Sequence, residues 1–122
     1  MRAAIARSLV TQPKFLLLDE PFGALDEITK NRLDDELLDL WKRLDVTIVL
    51  VTHSLAEAVY LGQKVHILSA NPGQLDSTLD VNLGTRDSQT RLSPEFSKVV
   101  GQAHQLLAQA ESDEEPIIEA SA

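Results

Sequence analysis

The stretch KFLLLDEPFGALDE, Lys14 to Glu27, decides the architecture. Phe15 to Leu18 is an unbroken apolar run. Such a run reads as a β-strand buried on both faces, as in a parallel sheet covered by helices. It closes on Asp19 and Glu20, and Pro21 follows. Carboxylates are costly to bury unpaired, so a cationic group is expected where this strand ends. Working outward, Asp26 is a good N-cap for a helix over Glu27–Leu44. Leu33, Leu37, Trp41 and Leu44 recur at spacings of four and three along it, which marks one buried stripe. Next comes VTIVLV, Val46 to Val51, β-branched and almost wholly apolar, as a second strand.

Upstream, Arg2–Val10 reads as a helix with Ala3, Ala4, Ile5, Ala6 and Leu9 on its apolar side. Pro13 ends it, because proline bars its predecessor from the helical region. Downstream, Ser54 and Glu57 in SLAE form a capping box, so a short helix starts just after His53 and stops at Gly62. Lys64–Ser69 is a third strand, closed by the turn NPG at 71–73. Leu75, Leu79, Val81 and Leu83 share one side of a period-2 pattern, which predicts a half-exposed strand. Gln89–Gln109 is helical in pattern, interrupted by Pro94 and Gly101. The segment ESDEEPIIEASA is an acidic tail whose composition reads as disordered. Strand–helix–strand–helix–strand argues an α/β fold, a parallel sheet flanked by helices.

Composition narrows the function classes. The 122 residues suffice for one small domain, and 43% of them are hydrophobic, a globular balance. The formal net charge of −8 argues against a whole-chain nucleic-acid binder. Without cysteine there is no disulfide framework, no thiolate nucleophile and no Cys-based zinc site. No apolar stretch reaches the ~18–20 residues of a membrane-spanning helix. The opening MRAAIARSLV superficially resembles a targeting segment, but it leads straight into a core-like strand.

In sheets of this kind the working residues lie beyond the carboxyl ends of the strands. Asp19 and Glu20 end the first strand; Thr52 and His53 end the second. If those strands are neighbours, all four polar groups gather at one edge. Adjacent strand residues point in different directions, so the two acids suit two jobs. One carboxylate can hold Mg²⁺, through water, since that ion keeps much of its hydration. The other can accept a proton from an attacking water, and His53 can hydrogen-bond a transferring phosphate or the water. Phosphoryl transfer requires these parts. Alone, Asp19 and Glu20 read equally well as a solvent-facing strand end. Asp26 is required as a cap in either case, and Trp41, on the leucine stripe, reads as core. His66 and His104 read as structural or surface residues.

FLLLDEPFGALD resembles the Walker B strand and D-loop of ATP-binding cassette (ABC) ATPases. VLVTHSLAEAV resembles their switch-histidine segment, and MRAAIARSLVTQPK the helix that follows their signature loop. The three segments stand in the family's order, and the likeness covers Met1 to about Gly73. The resemblance implies a partial P-loop NTPase fold over residues 1–85, a helical extension over 86–110 and a tail over 111–122. It implies an ATPase that uses ATP and Mg²⁺. Asp19 matches the aspartate that organises Mg²⁺ through water, and Glu20 the catalytic carboxylate that polarises the attacking water. Asp26 matches the D-loop aspartate that communicates across the ATP-bound dimer, and His53 the histidine that contacts the γ-phosphate.

THSLAEAVYLGQKVHILSANPGQL looks most like importers of the nitrate, sulfonate, taurine and pyrimidine-precursor group. The group's usual Asp-Arg is replaced by Gln63-Lys64, and its arginine by Asn71. The implied partners are transmembrane permease subunits, a second ATPase subunit and, indirectly, a periplasmic or extracellular solute-binding protein, with no nucleic acid. The implied place is cytoplasmic, on the inner face of the cell membrane.

No G-x-x-x-x-G-K-[ST] occurs in these 122 residues. The glutamine loop and the LSGGQ-type signature are also absent from them. The chain is therefore expected to be the C-terminal half of a cassette, lacking the N-terminal Walker A half and unable to bind ATP alone. Its sheet would then keep an open edge and a bare apolar face. Two other readings stand beside this one: a non-catalytic interaction module derived from a cassette, and a DNA-maintenance ATPase of ABC type. The acidic balance, the absence of a heptad run and the importer-like segment after His53 weigh against the last.

Overall fold

In a computed structural model, which describes residues 2–69 and 74–112, Asp26 takes an extended backbone and its side chain accepts a hydrogen bond from the Thr29 N–H at 3.0 Å. Helix α1 (Arg2–Leu9) and strand β1 (Phe15–Asp19) precede it, and helix α2 (Glu27–Arg43) and strand β2 (Thr47–Val51) follow. Glu27 in the first turn of α2, and Lys42 and Arg43 in the last, complement the helix dipole. Leu33, Asp34, Leu37 and Leu38 are the buried positions of α2, whereas Trp41 is half-buried.

β1 and β2 pair in parallel over their whole length, from Phe15 opposite Thr47 to Asp19 opposite Val51. Parallel neighbours need a crossover connection, which α2 supplies. The sheet is not buried on both faces, contrary to the reading of the apolar run. Burial alternates along β1: Leu16 and Leu18 are buried, but Phe15 and Leu17 are 72% and 70% exposed. On β2, Val49 opposite Leu17 and Val51 opposite Asp19 are also exposed. Among the described residues the sheet has only these two strands, and the apolar side chains of its second face are exposed. The expected bare apolar face is present.

The second unit, from Leu55 onward, is built on α3 (Leu55–Leu61), β3 (Lys64–Leu68), β4 (Leu75–Asp80), a 3₁₀ turn at Thr90–Leu92 and α4 (Pro94–Ser112). Here the sequence expectation is corrected. β3 does not extend the parallel sheet; it pairs antiparallel with β4 as a separate ladder. The two strands are close in sequence, so they can pair without a crossover helix. The Ser69 N–H to Gln74 carbonyl bond (2.9 Å) and the Val81 N–H to Gln63 carbonyl bond (2.9 Å) extend the ladder at its two ends. The turn NPG lies outside the described residues.

An irregularity between Ile67 and Leu68 sets Leu75 opposite Leu68, while Leu79 stays opposite Val65. The bulge breaks the period-2 pattern, so Leu75 is exposed although Leu79 is half-buried. Pro94 does not interrupt a helix but begins one. Ser93, extended, accepts from the Phe96 N–H at 3.2 Å, and Pro94 stands where its missing N–H costs nothing. α4 runs on to Ser112, and the rest of the acidic tail, 113–122, lies outside the described residues. α4 packs on α3 and β3. Tyr60 and Phe96 meet edge to face at 6.3 Å, and the Arg91 guanidinium lies 3.7 Å from the Tyr60 ring centre.

Candidate functional site

The end of β1 does not simply stop; it turns over. The Glu20 N–H donates to the Val51 carbonyl at 2.8 Å, which carries the pairing one residue past Asp19. Glu20 then adopts a left-handed backbone, with φ of 49°. For a residue with a side chain that conformation costs about 1 kcal/mol or more. Such strain persists only where surrounding structure imposes it. Here Pro21 and Phe22, both buried, follow at once. Phe22 is 2% exposed, a core residue that the sequence pattern alone does not mark. The signal in the sequence is the aromatic residue itself, since a phenylalanine left in solvent in a Pro-Gly loop forgoes the free energy of burial. Two turns, Gly23 N–H to the Glu20 carbonyl (3.3 Å) and Leu25 N–H to the Phe22 carbonyl (3.1 Å), carry the loop to the Asp26 cap.

The left-handed turn matters for direction. Asp19 keeps the strand alternation and lies on the exposed face with Phe15 and Leu17. Glu20 is released from that alternation, and its Oε1 meets the Nδ1 of His53. His53 sits two residues beyond the end of β2, where Thr52 Oγ1 accepts from the Ser54 N–H at 3.1 Å. The imidazole is almost wholly exposed and Glu20 about one-third exposed. A surface contact with so exposed an imidazole adds little to stability, so its role is one of placement.

The structure thus brings Glu20 and His53 together at the carboxyl ends of two parallel neighbours and sets Asp19 beside them in the chain, on the open face. Asp26 serves as the helix cap. The hydrogen bonds from Thr29 hold its carboxyl below the usual aspartate range, and Arg32 adds a smaller pull. Among the described residues, no three acids, histidines or cysteines cluster as a metal-binding group. Mg²⁺ needs no such cluster: one or two carboxylates, water and substrate phosphates serve it. Asp19, a solvent-facing carboxylate at a strand end, fits that mode.

No family model matches the chain. Individual proteins do. The nitrate import ATP-binding protein NrtD of Synechocystis is 43% identical over 120 residues, covering 93% of this chain and 45% of its own. The aliphatic sulfonates import ATP-binding protein SsuB of Bacillus subtilis is 45% identical over 98 residues, covering 80% of this chain and 38% of its own. The SsuB of Bacillus licheniformis is 46% identical over 98 residues, with the same coverage. The chain is homologous to ABC importer ATP-binding proteins. It spans less than half the length of these ABC relatives and corresponds to their C-terminal part. Among the described residues, no helix is long and apolar enough to cross a membrane.

Proposed function

We propose that this chain is the Walker B and switch-histidine part of the ATP-binding subunit of an ABC importer, energising uptake of a small solute such as nitrate, a sulfonate or taurine. The observation that carries the reading is the contact of Glu20 with His53 beyond paired strand ends, with Asp19 adjacent. Glu20 is the group that orients the attacking water and receives its proton. His53, free to solvent on its outer side, is the group that contacts the γ-phosphate and holds Glu20 in line. Asp19 would hold Mg²⁺ through water. That ion, when bound, supplies neutralisation of phosphate charge. Asp26 stiffens the loop by capping α2 and would face the second ATPase subunit. The partners are transmembrane permease subunits and, through them, a solute-binding protein, at the cytoplasmic face of the membrane.

The phosphate-cradling loop is not among these 122 residues, so the isolated chain is expected not to retain Mg·ATP; micromolar binding by the monomer would overturn that. With a Walker A half supplied, Glu20→Gln should lower hydrolysis by about a hundredfold or more while nucleotide binding persists. Unchanged turnover would refute the role given to Glu20.

A further inference from the structure

Among the described residues, two non-glycine residues have a left-handed backbone, Gln12 with φ of 51° and Glu20 with φ of 49°. Gln12 stands where such a residue is common. Its N–H donates to the Leu9 carbonyl at 3.0 Å, so it closes helix α1 as the chain leaves it. Glu20 ends no helix. It follows a strand, its N–H still pairs with the Val51 carbonyl at 2.8 Å, and buried Pro21 and Phe22 come next. Glutamate is also a poor choice for the conformation. Glycine takes it without steric cost, and asparagine and aspartate take it more readily than longer side chains. The turn itself would be served better by one of those residues, so what glutamate supplies is its side chain. That carboxylate meets His53.

We propose that the left-handed backbone at Glu20 is a positioning device kept at a cost to the fold. The turn takes the carboxylate out of the strand's alternation and sets it against His53, and the chain is less stable for having glutamate there. Strain retained at a single residue with no helix end to explain it marks a working site. The cost to the fold stands on the backbone alone; that it serves turnover rests on the water-activating role proposed for Glu20.

Glu20→Gly and Glu20→Ala both remove the carboxylate and its contact, and they differ only in the Cβ. In urea titration of the 122-residue chain, followed by Trp41 fluorescence, the glycine variant should be the more stable. Its folded-to-unfolded ratio should exceed that of the alanine variant by about threefold, although glycine loses more freedom on folding. The pair Gln12→Gly and Gln12→Ala should show the same order. At Leu17, inside β1, the order should reverse, because glycine weakens a strand. A glycine variant no more stable than the alanine variant at position 20 overturns the proposal, whatever position 12 shows.

Glu20→Asp tests the link to placement, since aspartate accepts the turn but is one methylene shorter. Its urea midpoint should be no lower than that of the native chain, and a lower one overturns the proposal. In a cassette completed with a Walker A half, Glu20→Asp should lower kcat by about a hundredfold. Gln12→Asn should raise the midpoint and leave kcat unchanged. Full kcat in Glu20→Asp, with the stability order at position 20 as expected, would leave the strain real and overturn both its use in placement and the catalytic assignment of Glu20.

Discussion

Alternate residues of β1 should respond very differently to truncation. Leu16 and Leu18 are 7% and 8% exposed, whereas Leu17 between them is 70% exposed. Leu→Ala at a buried site removes transfer energy and leaves a cavity, at a cost of about 2–5 kcal/mol. Full burial of a leucine is worth about 1.5–3 kcal/mol, and Leu17 realises less than a third of it, so Leu17→Ala should cost about 0.5–1 kcal/mol. The expected gap between Leu16→Ala and Leu17→Ala is about 2 kcal/mol, or roughly thirty-fold in the folded-to-unfolded ratio. Urea titration of dilute chain checks it, with Trp41, the sole tryptophan and half-buried on α2, as the fluorophore. Equal losses at Leu16 and Leu17 would refute the one-sided sheet. They would show that β1 is covered on both faces in solution, by self-association or otherwise.

The same exposed face, Phe15, Leu17, Val49 and Val51, should make the chain poorly soluble at high concentration; Leu17→Lys should raise the concentration at which light scattering sets in, with little change in midpoint. Gly62→Ala should destabilise by about 1–3 kcal/mol, read as a lower melting temperature, because its Cβ would lie 2.7 Å from the Ala58 carbonyl oxygen and 3.1 Å from that of Lys64, neither of which can swing away. Gly101→Ala, in the exposed interior of α4 with nothing within 4 Å of the new Cβ, should stabilise by up to about 1 kcal/mol in the same melt. Asp26 has its carboxyl held below the ordinary range, so its capping contribution is complete above about pH 4 and is lost as pH falls through the folded value. Asp26→Asn, an equally good cap, should flatten that acid limb without loss at neutral pH; an unchanged limb would show that another carboxylate carries it.

Much of the site was legible because its parts are local. The apolar run ending in Asp19-Glu20, the cap at Asp26 and the VTIVLV strand ending before His53 are each set by a few neighbouring residues. Parallel pairing of the two strands followed from the helix between them, and with it the meeting of Glu20 and His53. Pro94 was misread because proline is disfavoured inside a helix yet welcome at its start, and only the extended Ser93 before it distinguishes the cases. The bulge that exposes Leu75 left no mark in the hydrophobic pattern, since it depends on how β3 and β4 align.

By itself the amino-acid order determined which segments are helix and strand, where all but the last helix start, and which charged residues stand at strand ends. Those are questions of propensity, periodicity and capping, answered within a turn or two of chain. Only the tertiary structure decided that β3 turns back on β4, that one face of the β1–β2 sheet lies open, and that Glu20 leaves the strand through a left-handed turn. Each of these depends on which surfaces meet, and contact between distant residues is not written in the periodicity of either partner.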